Sequence, residues 1–353
     1  SSKNMAVINI RDTQTVLVGI PIIKPKKFLL NNQLFPLPLM PSIHPQMQSV
    51  LQKSSTLVAP YSITEIPLHR ARELYAQERM FWNTGGPNIS SIMETEVKGP
   101  VGGIPIRIYQ PHPEKCLPVL VYLHGGGFVV GNLDTHDRIM RELAIRTGCA
   151  VIGVEYSLSP EQKFPVALDE IKLVLQWLKE DDYTQKEAAY NIDPDRIVLG
   201  GDSAGASLSM GAALSFKEQL SGLLLIYGWF GLRDSCSVRL FGSQDVGMSE
   251  EDMAFYQDSY LNSQEDLDDV RLDVLKADLN GMPPSCLIVS DMDPLLDDST
   301  ALATLMEQAG ALCELHLYQG VLHGFLHYSR MLDGAVSALD QSAEFLRKTF
   351  CLF

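Results

Sequence analysis

The sequence contains no long uncharged hydrophobic run. The longest run near its start, residues 16–23, is far shorter than the roughly 18–20 residues that a membrane-spanning helix requires. Lys24, Lys26 and Lys27 follow this run, where a secretory signal would have a small-residue cleavage site. We therefore predict neither membrane insertion nor secretion, and we expect a cytoplasmic protein.

Positive charge is scarce in this chain. It has 28 Lys and Arg residues against 43 Asp and Glu residues, which gives a formal net charge of −15. This charge repels phosphate backbones and anionic lipid surfaces. Nucleic acid and membranes are therefore not expected as partners, and uncharged small molecules are favoured over phosphorylated ones.

Paired cysteines and metal-binding spacings are also absent from the sequence. The six cysteines form no CxxC pair and have no histidine at a zinc-like spacing: Cys116, Cys149, Cys236, Cys286, Cys313 and Cys351. The eight histidines form no cluster along the chain. We predict free thiols, as in a reducing cytoplasm, and neither a metal nor a cofactor.

What the chain does contain, from about Pro118 onward, is an alternation of apolar and amphipathic segments. Strands are predicted over residues 118–123, 150–156, 196–200, 222–227, 285–290 and 314–318, and helices over residues 136–147, 165–179, 204–217, 299–308 and 335–349. This alternation is typical of a mostly parallel sheet with helices on both faces. The fold class predicted from it is α/β.

Three segments lie outside this alternation. Residues 93–97 and 104–109 flank a turn-rich segment, which predicts an antiparallel hairpin at one edge of the sheet. Before about Arg79, four prolines between positions 36 and 45 argue against a helix. Residues 229–280 form an irregular insertion of the length of a lid. The predicted organisation is an N-terminal extension and cap segment over residues 1–90, a core of residues 91–228 and 281–353, and a cap or lid over residues 229–280.

The candidate nucleophile is Ser203, at the centre of the motif Gly-Asp-Ser-Ala-Gly over residues 201–205. A predicted strand precedes this G-x-S-x-G motif and a predicted helix follows it, as a nucleophile elbow requires. The turn is so tight that side chains beside the serine would collide, and both flanking positions are glycine. The alternative interpretation is an ordinary glycine-rich turn between a strand and a helix.

A second motif, His-Gly-Gly-Gly-Phe over residues 124–128, directly follows the predicted strand 118–123. Glycines allow bare backbone N–H groups to approach an oxygen that becomes negative during acyl transfer. The N–H at the start of the helix after the serine supplies another such donor. We predict an oxyanion hole formed by Gly126, Gly127 and Ala204.

The acid and the base are expected on loops after late strands, in the order serine, acid, histidine. Asp293 follows the predicted strand 285–290, and His323 follows the predicted strand 314–318. Asp291 competes with Asp293 for the role of the acid. Asp297 and Asp298 lie where a helix starts and are interpreted as favouring the helix dipole.

Two other histidines are weighed against His323. His124 is expected to brace its loop by hydrogen bonding, because it precedes the serine in the chain. His327 is expected to serve packing, because it lies about one helical turn beyond His323. His323 therefore remains the candidate base.

These motifs resemble the hormone-sensitive-lipase-like branch of carboxylesterases, whose marks are HGGGF and GDSAG joined by a Tyr-x-Leu-x-Pro-Glu segment, here residues 156–161. Within this family, the resemblance to the bacterial acetyl esterase is closer still, over residues 122–141, 227–235, 293–300 and 322–331. The resemblance implies an α/β-hydrolase fold with a cap built from the N-terminal region and the insertion. It also implies short-chain acyl esters as substrates, and it supports Asp293 over Asp291.

The function predicted from the sequence is that of a serine carboxylesterase that hydrolyses acetyl-type esters through an acyl-enzyme. Two alternatives stay open: an amidase or small peptidase with the same triad, and a ligand-binding relative without catalysis. The expected partner is a small-molecule ester. The sequence leaves a homodimer open and indicates no regulatory protein partner.

Two aromatic residues at the start of the insertion bear on the size of the substrate. Trp229 and Phe230 follow the predicted strand 222–227, which is expected to run beside the strand that leads to Ser203. Ligands of α/β folds bind at that edge of the sheet. The rings therefore either shorten an acyl pocket or anchor the lid to the core.

Overall fold

The computed structural model describes residues 41–180, 190–242 and 247–352, together with two short paired strands, β1 (Val7–Ile8) and β2 (Val16–Leu17). The rest of the predicted N-terminal extension lies outside the described residues. The strands of the main sheet are β3 (Ser91–Lys98), β4 (Gly103–Gln110), β5 (Leu117–Leu123), β6 (Ala150–Val154), β7 (Ile192–Asp202), β8 (Gly222–Ile226), β9 (Ser285–Met292) and β10 (Cys313–Leu322).

The α-helices of the described residues lie before, between and after these strands. They are α1 (Pro45–Leu57), α2 (Leu68–Asn83), α3 (Asp137–Thr147), α4 (Val166–Lys179), α5 (Ala204–Ala213), α6 (Cys236–Phe241), α7 (Glu250–Tyr260), α8 (Leu296–Gln308) and α9 (Asp333–Thr349). None of these helices has both the length and the apolar character needed to cross a membrane.

The main sheet has the strand order β10-β9-β8-β7-β5-β6-β4-β3. All pairings from β10 to β6 are parallel, whereas β4 is antiparallel to both β6 and β3. The predicted mostly parallel sheet with a hairpin at one edge is therefore confirmed. The carboxyl ends of β5, β7, β8, β9 and β10 meet at one edge of the sheet.

Helices cover both faces of the central strands, and the burial of these strands shows it. Every residue of β5, β6 and β8 is buried, so these strands are continuous apolar runs. The edge strand β3 instead alternates between half-buried and exposed residues along most of its length. The core therefore lies on both sides of the sheet centre.

The prediction that prolines prevent a helix in the N-terminal region is wrong for Pro45. Helix α1 begins at this residue, where a proline ring fits because the first helical N–H has no partner within the helix. The side chain of His44 accepts a hydrogen bond from the N–H of Gln46 at 3.2 Å and caps the helix. Helix α2 follows, and the sequence pattern did not reveal either helix.

Helix α2 and the insertion pack against the loop that carries the three glycines. Arg72 of α2 donates to the carbonyl oxygen of Val129 at 2.8 Å and to both carboxylate oxygens of Glu161, each at 2.8 Å. Thr64 donates to Glu251 of α7 at 2.7 Å, so the N-terminal region also contacts the insertion. The division into cap and core stays a prediction, and these contacts are compatible with it.

A buried carboxylate joins the segment after β8 to helix α8. Asp298 accepts hydrogen bonds from the N–H groups of Phe230 at 2.8 Å and Leu232 at 3.1 Å, while its second oxygen has no partner among the described residues. Burial raises the pKa of Asp298 to about 7. Its role is therefore more than favouring a helix dipole, because it fixes the chain beside the predicted site.

Shortening one central side chain tests how much the sheet contributes to stability. Leu224 of β8 is fully buried, and we expect Leu224→Ala to lower the free energy of unfolding by about 2–5 kcal/mol, since it leaves a cavity. The control Leu312→Ala removes the same atoms from a side chain that is 74% exposed, and it should change the free energy of unfolding by less than about 0.5 kcal/mol. Urea denaturation of the two variants measures both, and equal losses would contradict this account of the core.

Replacing Asp298 tests the cost of its buried charge. Because its folded pKa of about 7 exceeds the ordinary value of about 3.9, the folded state binds the extra proton and loses stability as pH rises from about 4 through 7. Asp298→Asn keeps an acceptor for both N–H groups and does not ionise. We expect the difference in unfolding free energy, variant minus wild type, to be larger at pH 8 than at pH 5. The exposed control Asp195→Asn should show no such trend, and an equal difference at both pH values for Asp298→Asn would contradict the assignment.

Candidate active site

Ser203 occupies a strained turn between β7 and α5. Its φ is 52° and its ψ is −120°, a conformation that side chains rarely adopt. A Cβ atom at Gly205 would lie 1.9 Å from the carbonyl oxygen of Leu123, and one at Gly201 would lie 2.1 Å from the same oxygen. Strand β5 is so close that the flanking positions of the motif must be glycine.

The pairing of β9 with β10 brings Asp293 and His323 together. Met292 pairs with Leu322 at the ends of these parallel strands, so the next residue of each strand emerges at the same edge. Nδ1 of His323 lies 2.8 Å from Oδ2 of Asp293. Asp293 is fully buried and accepts a further hydrogen bond from the N–H of Leu295 at 2.8 Å, which fixes the carboxylate.

The same histidine reaches the serine. Nε2 of His323 lies 2.9 Å from Oγ of Ser203, within hydrogen-bonding distance. The N–H of Ser203 donates to the carbonyl oxygen of Ile226 at 2.8 Å and anchors the turn to β8. The structure therefore brings together the three residues that the sequence proposed as nucleophile, base and acid.

The glycine loop after β5 lies beside Ser203. The carbonyl oxygen of Gly126 accepts hydrogen bonds from Val129 at 3.0 Å and Val130 at 2.9 Å, so this side of the loop is occupied. Within the described ranges, no partner accepts from the N–H groups of Gly126, Gly127 or Ala204. Three backbone donors are therefore available near the serine hydroxyl.

Asp202 joins the serine turn to the glycine loop. Its Oδ1 accepts hydrogen bonds from the hydroxyl of Tyr122 at 2.8 Å and the N–H of Gly125 at 3.0 Å. Full burial alone would raise the pKa of Asp202, but His136 at 3.5 Å and the Tyr122 hydroxyl outweigh it, and the pKa lies well below its usual range. The carboxylate is therefore ionised and fixes the loop.

The competing residues contact partners other than Ser203 and His323. Asp291 accepts from the N–H of Gly320 at 2.7 Å, and burial raises its pKa to about 6. His124 stacks on Tyr156 with ring centroids 4.3 Å apart, and burial lowers its pKa to about 3. His327 is buried 3.9 Å from Asp202, and burial lowers its pKa well below the ordinary value. Both imidazoles are therefore neutral at pH 7.

Folding brings together two groups of potential metal ligands that are scattered in the sequence. They are His136, Asp202 and His327 near the serine turn, and Cys286, Glu314 and His316 on β9 and β10. In the first group, the N–H of Gly125 donates to Asp202 and also lies 3.2 Å from Nε2 of His136. A metal ion between these side chains would be repelled by the positive end of this N–H dipole. The first group is therefore built as a hydrogen-bond network.

Two cavities flank Ser203. The Trp229 cavity, about 240 Å³, is lined mainly by apolar side chains that include Trp229, Leu232, Met253 and Leu295. The Arg79 cavity, about 330 Å³, is lined by both apolar and polar side chains, and the polar ones include Arg79, Tyr75, Asp252 and His323. Gly127, Ser203, Met248 and Tyr256 line both cavities. The site therefore has one mainly apolar side and one side that also carries charged and polar groups.

The two aromatic residues predicted for the pocket differ in position. Trp229 lines its cavity, and its Nε1 donates to the carbonyl oxygen of Leu232 at 3.0 Å, which fixes the ring. Phe230 is fully buried and is not part of that cavity wall. The structure therefore brings Trp229 to the site and does not bring Phe230 there.

Sequence reasoning missed Arg79 and Tyr256. Arg79 lies on α2, which carries no motif, and Tyr256 lies on α7 of the insertion. A Cβ atom at Gly127 would lie 2.2 Å from the ring of Tyr256, so the ring rests directly on the glycine loop. The three consecutive glycines were a signal of such close contact, but they did not indicate its partner.

Comparison with known proteins agrees with this geometry. Residues 120–327 match a family described by the alpha/beta hydrolase fold. The chain is 38% identical over 316 residues to the acetyl esterase of Salmonella choleraesuis (strain SC-B67), covering 88% of this chain and 95% of that protein. The acetyl esterase of Salmonella schwarzengrund (strain CVM19633) is 37% identical with the same coverage.

Solved structures of esterases are similar over most of the chain. A hyperthermophilic esterase of Pyrobaculum calidifontis has a TM-score of 0.80 at 27% identity, covering 87% of this chain and 98% of that one. A fungal esterase of Rhizomucor miehei has a TM-score of 0.80 at 28% identity, covering 88% and 98%. With this fold and these relatives, the chain belongs to the hormone-sensitive-lipase-like family of α/β-hydrolases and is a carboxylic ester hydrolase.

Proposed function

We propose that Ser203, His323 and Asp293 are the catalytic triad of a carboxylesterase that hydrolyses short-chain, acetyl-type esters. The observation that carries this proposal is the unbroken pair of contacts from Ser203 Oγ to His323 Nε2 at 2.9 Å and from His323 Nδ1 to Asp293 Oδ2 at 2.8 Å. A nucleophile, a base and an orienting carboxylate in this arrangement perform acyl transfer.

In the first half of the reaction, Nε2 of His323 takes the hydroxyl proton as Ser203 Oγ attacks the ester carbonyl carbon. The carbonyl oxygen becomes negative and accepts hydrogen bonds from Gly126, Gly127 and Ala204. Fixed donors of this kind stabilise the tetrahedral intermediate without reorganising. Collapse of the intermediate breaks the bond to the alcohol oxygen, which receives the proton from His323.

In the second half, water replaces the alcohol. His323 takes a proton from this water, whose oxygen attacks the acyl carbon, and collapse returns the proton to Ser203 and releases the carboxylic acid. Asp293 keeps Nδ1 of the imidazole protonated and stabilises the imidazolium that forms twice in each cycle. Its burial and its fixed hydrogen bond to Leu295 support this orienting role.

The preference for short acyl groups rests on the Trp229 cavity. This cavity is apolar and reaches Ser203 and Ala204, as the acyl chain requires. The indole of Trp229 is held by its own hydrogen bond to Leu232, so the wall does not yield easily to a longer chain. The two acetyl esterase relatives are compatible with a short acyl chain.

Substitutions of the three proposed triad residues test their assignment. Ser203→Ala and His323→Ala should each lower kcat for an acetyl ester by about 10⁴-fold or more, because each removes a group that acts in both transition states. Asp293→Asn should lower it by about 10³–10⁴-fold, because an amide does not hold the required tautomer. The rate of hydrolysis of a chromogenic acetate ester, in a stopped or continuous assay, measures kcat for all three variants.

The serine and aspartate variants have matched controls. Ser215→Ala changes an exposed serine just beyond α5, and Asp291→Asn changes the competing carboxylate on β9. Both controls should keep kcat within a few-fold of wild type. Near-normal turnover of Ser203→Ala, or a larger loss in Asp291→Asn than in Asp293→Asn, would refute the assignment.

The Trp229 wall is tested by acyl-chain length. Trp229→Ala should raise the ratio of kcat/KM for octanoyl esters to kcat/KM for acetyl esters by about tenfold. The reason is that the longer chain then buries additional methylene groups in an apolar space, and each buried methylene stabilises the transition state by up to about 0.8 kcal/mol. Phe230→Ala is the control, since that ring lies outside the cavity wall. It should destabilise the protein and leave the ratio unchanged. A ratio that Trp229→Ala leaves unaltered would remove Trp229 from the acyl pocket.

A further inference from the structure

We infer that the Arg79 cavity binds the alcohol part of the ester, and that Arg79 selects neutral alcohols that carry hydroxyl, ether or carbonyl oxygens, such as polyols and sugars. The inference rests on the proposed function, because it takes Ser203 as the nucleophile and His323 as the base. It adds a substrate class and a specificity-determining residue, both on the side of the leaving group.

The position of His323 decides which cavity holds the alcohol. The imidazole must reach the leaving oxygen in order to protonate it, so the alcohol lies on the same side of Ser203 as His323. His323 lines the Arg79 cavity and is not part of the Trp229 cavity wall. The acyl chain then extends on the opposite side, between Ala204 and Trp229. The Arg79 cavity is therefore the one that the alcohol enters.

Arg79 places a fixed guanidinium in the wall of this cavity. Its guanidinium pairs with Glu78 and lies 4.5 Å from the ring centroid of Tyr75 and 5.8 Å from that of Tyr328. A guanidinium donates charge-assisted hydrogen bonds to acceptor oxygens, such as those of a bound alcohol.

Glu78 is itself held in place, so Arg79 is preorganised. Oε1 of Glu78 accepts hydrogen bonds from Ser54 at 2.7 Å and from Nε1 of Trp82 at 2.6 Å. The side chains of Glu78 and Arg79 are only 15% and 11% exposed. The guanidinium therefore does not need to be ordered when a substrate arrives, which favours its use in recognition.

The charges around the cavity favour a neutral alcohol over an anionic one. The positive charge of Arg79 is balanced by Glu78, while Asp202 and Asp252 add carboxylates to the lining. The carboxylate of Asp252 accepts hydrogen bonds from the N–H of Ser249 at 3.0 Å and from the hydroxyl of Ser249 at 2.8 Å. An additional carboxylate or phosphate would be repelled, whereas hydroxyl groups can donate to these oxygens and accept from Arg79.

Two acetates that differ only in their alcohol test this inference: propyl acetate and 2,3-dihydroxypropyl acetate. We expect wild type to have the higher kcat/KM for the dihydroxypropyl ester, after correction for the rates of alkaline hydrolysis. The double variant Glu78→Gln/Arg79→Met removes both charges, while the glutamine keeps an acceptor for Ser54 and Trp82. Its preference for the dihydroxypropyl ester should fall about tenfold, since one hydrogen bond from a charged donor is lost.

Further variants separate recognition from folding. Arg79→Lys keeps the charge beside Glu78 but lacks the planar guanidinium, and its preference should also fall. The exposed control Arg70→Gln, on the same helix, should keep the preference of wild type. A preference unchanged in both Arg79 variants, or a wild type that hydrolyses both esters equally, would overturn the inference and leave the triad intact. A wild type that hydrolyses neither ester would instead refute the proposed function.

Discussion

The geometry of the site depends on the hydrogen bonds that the carboxylate of Asp202 accepts. This carboxylate is buried at the end of β7, where it accepts hydrogen bonds from Tyr122 on β5 and from Gly125 in the glycine loop. An ionised group in the interior is tolerated only when such donors surround it. The residue before the serine therefore ties the serine turn to the loop that follows another strand, and it helps to set the position of Ser203 relative to the backbone donors.

The sequence was sufficient to predict the strands and the residues that meet at the end of the sheet. Ser203, Asp293 and His323 each follow an apolar strand, and parallel strands deliver their carboxyl ends to one edge. The choice between Asp291 and Asp293 depended on the resemblance to a family. In the structure it follows from the pairing of Met292 with Leu322, a register that strand patterns alone do not specify.

Other parts of the site could not be predicted, for identifiable physical reasons. Arg79 lies on a helix whose pattern gives no sign that a charged side chain is buried, because that burial depends on Glu78, Tyr75 and Tyr328 in the fold. Asp298 resembled an ordinary helix-start carboxylate, and its partners Phe230 and Leu232 lie on a distant segment. Contacts between segments far apart in sequence leave little local signal.

The ring of Tyr256 rests on Gly127 and forms part of the wall of both cavities. A ligand that fixes this ring from one cavity therefore also changes the volume of the other cavity. It changes as well the entropic cost of ordering the ring when a ligand binds there. Affinities for the two cavities are then linked thermodynamically, and the linkage is reciprocal. If the two cavities hold the acyl and alcohol parts as proposed, the binding free energy of each half of the ester depends on what occupies the other side of one aromatic ring.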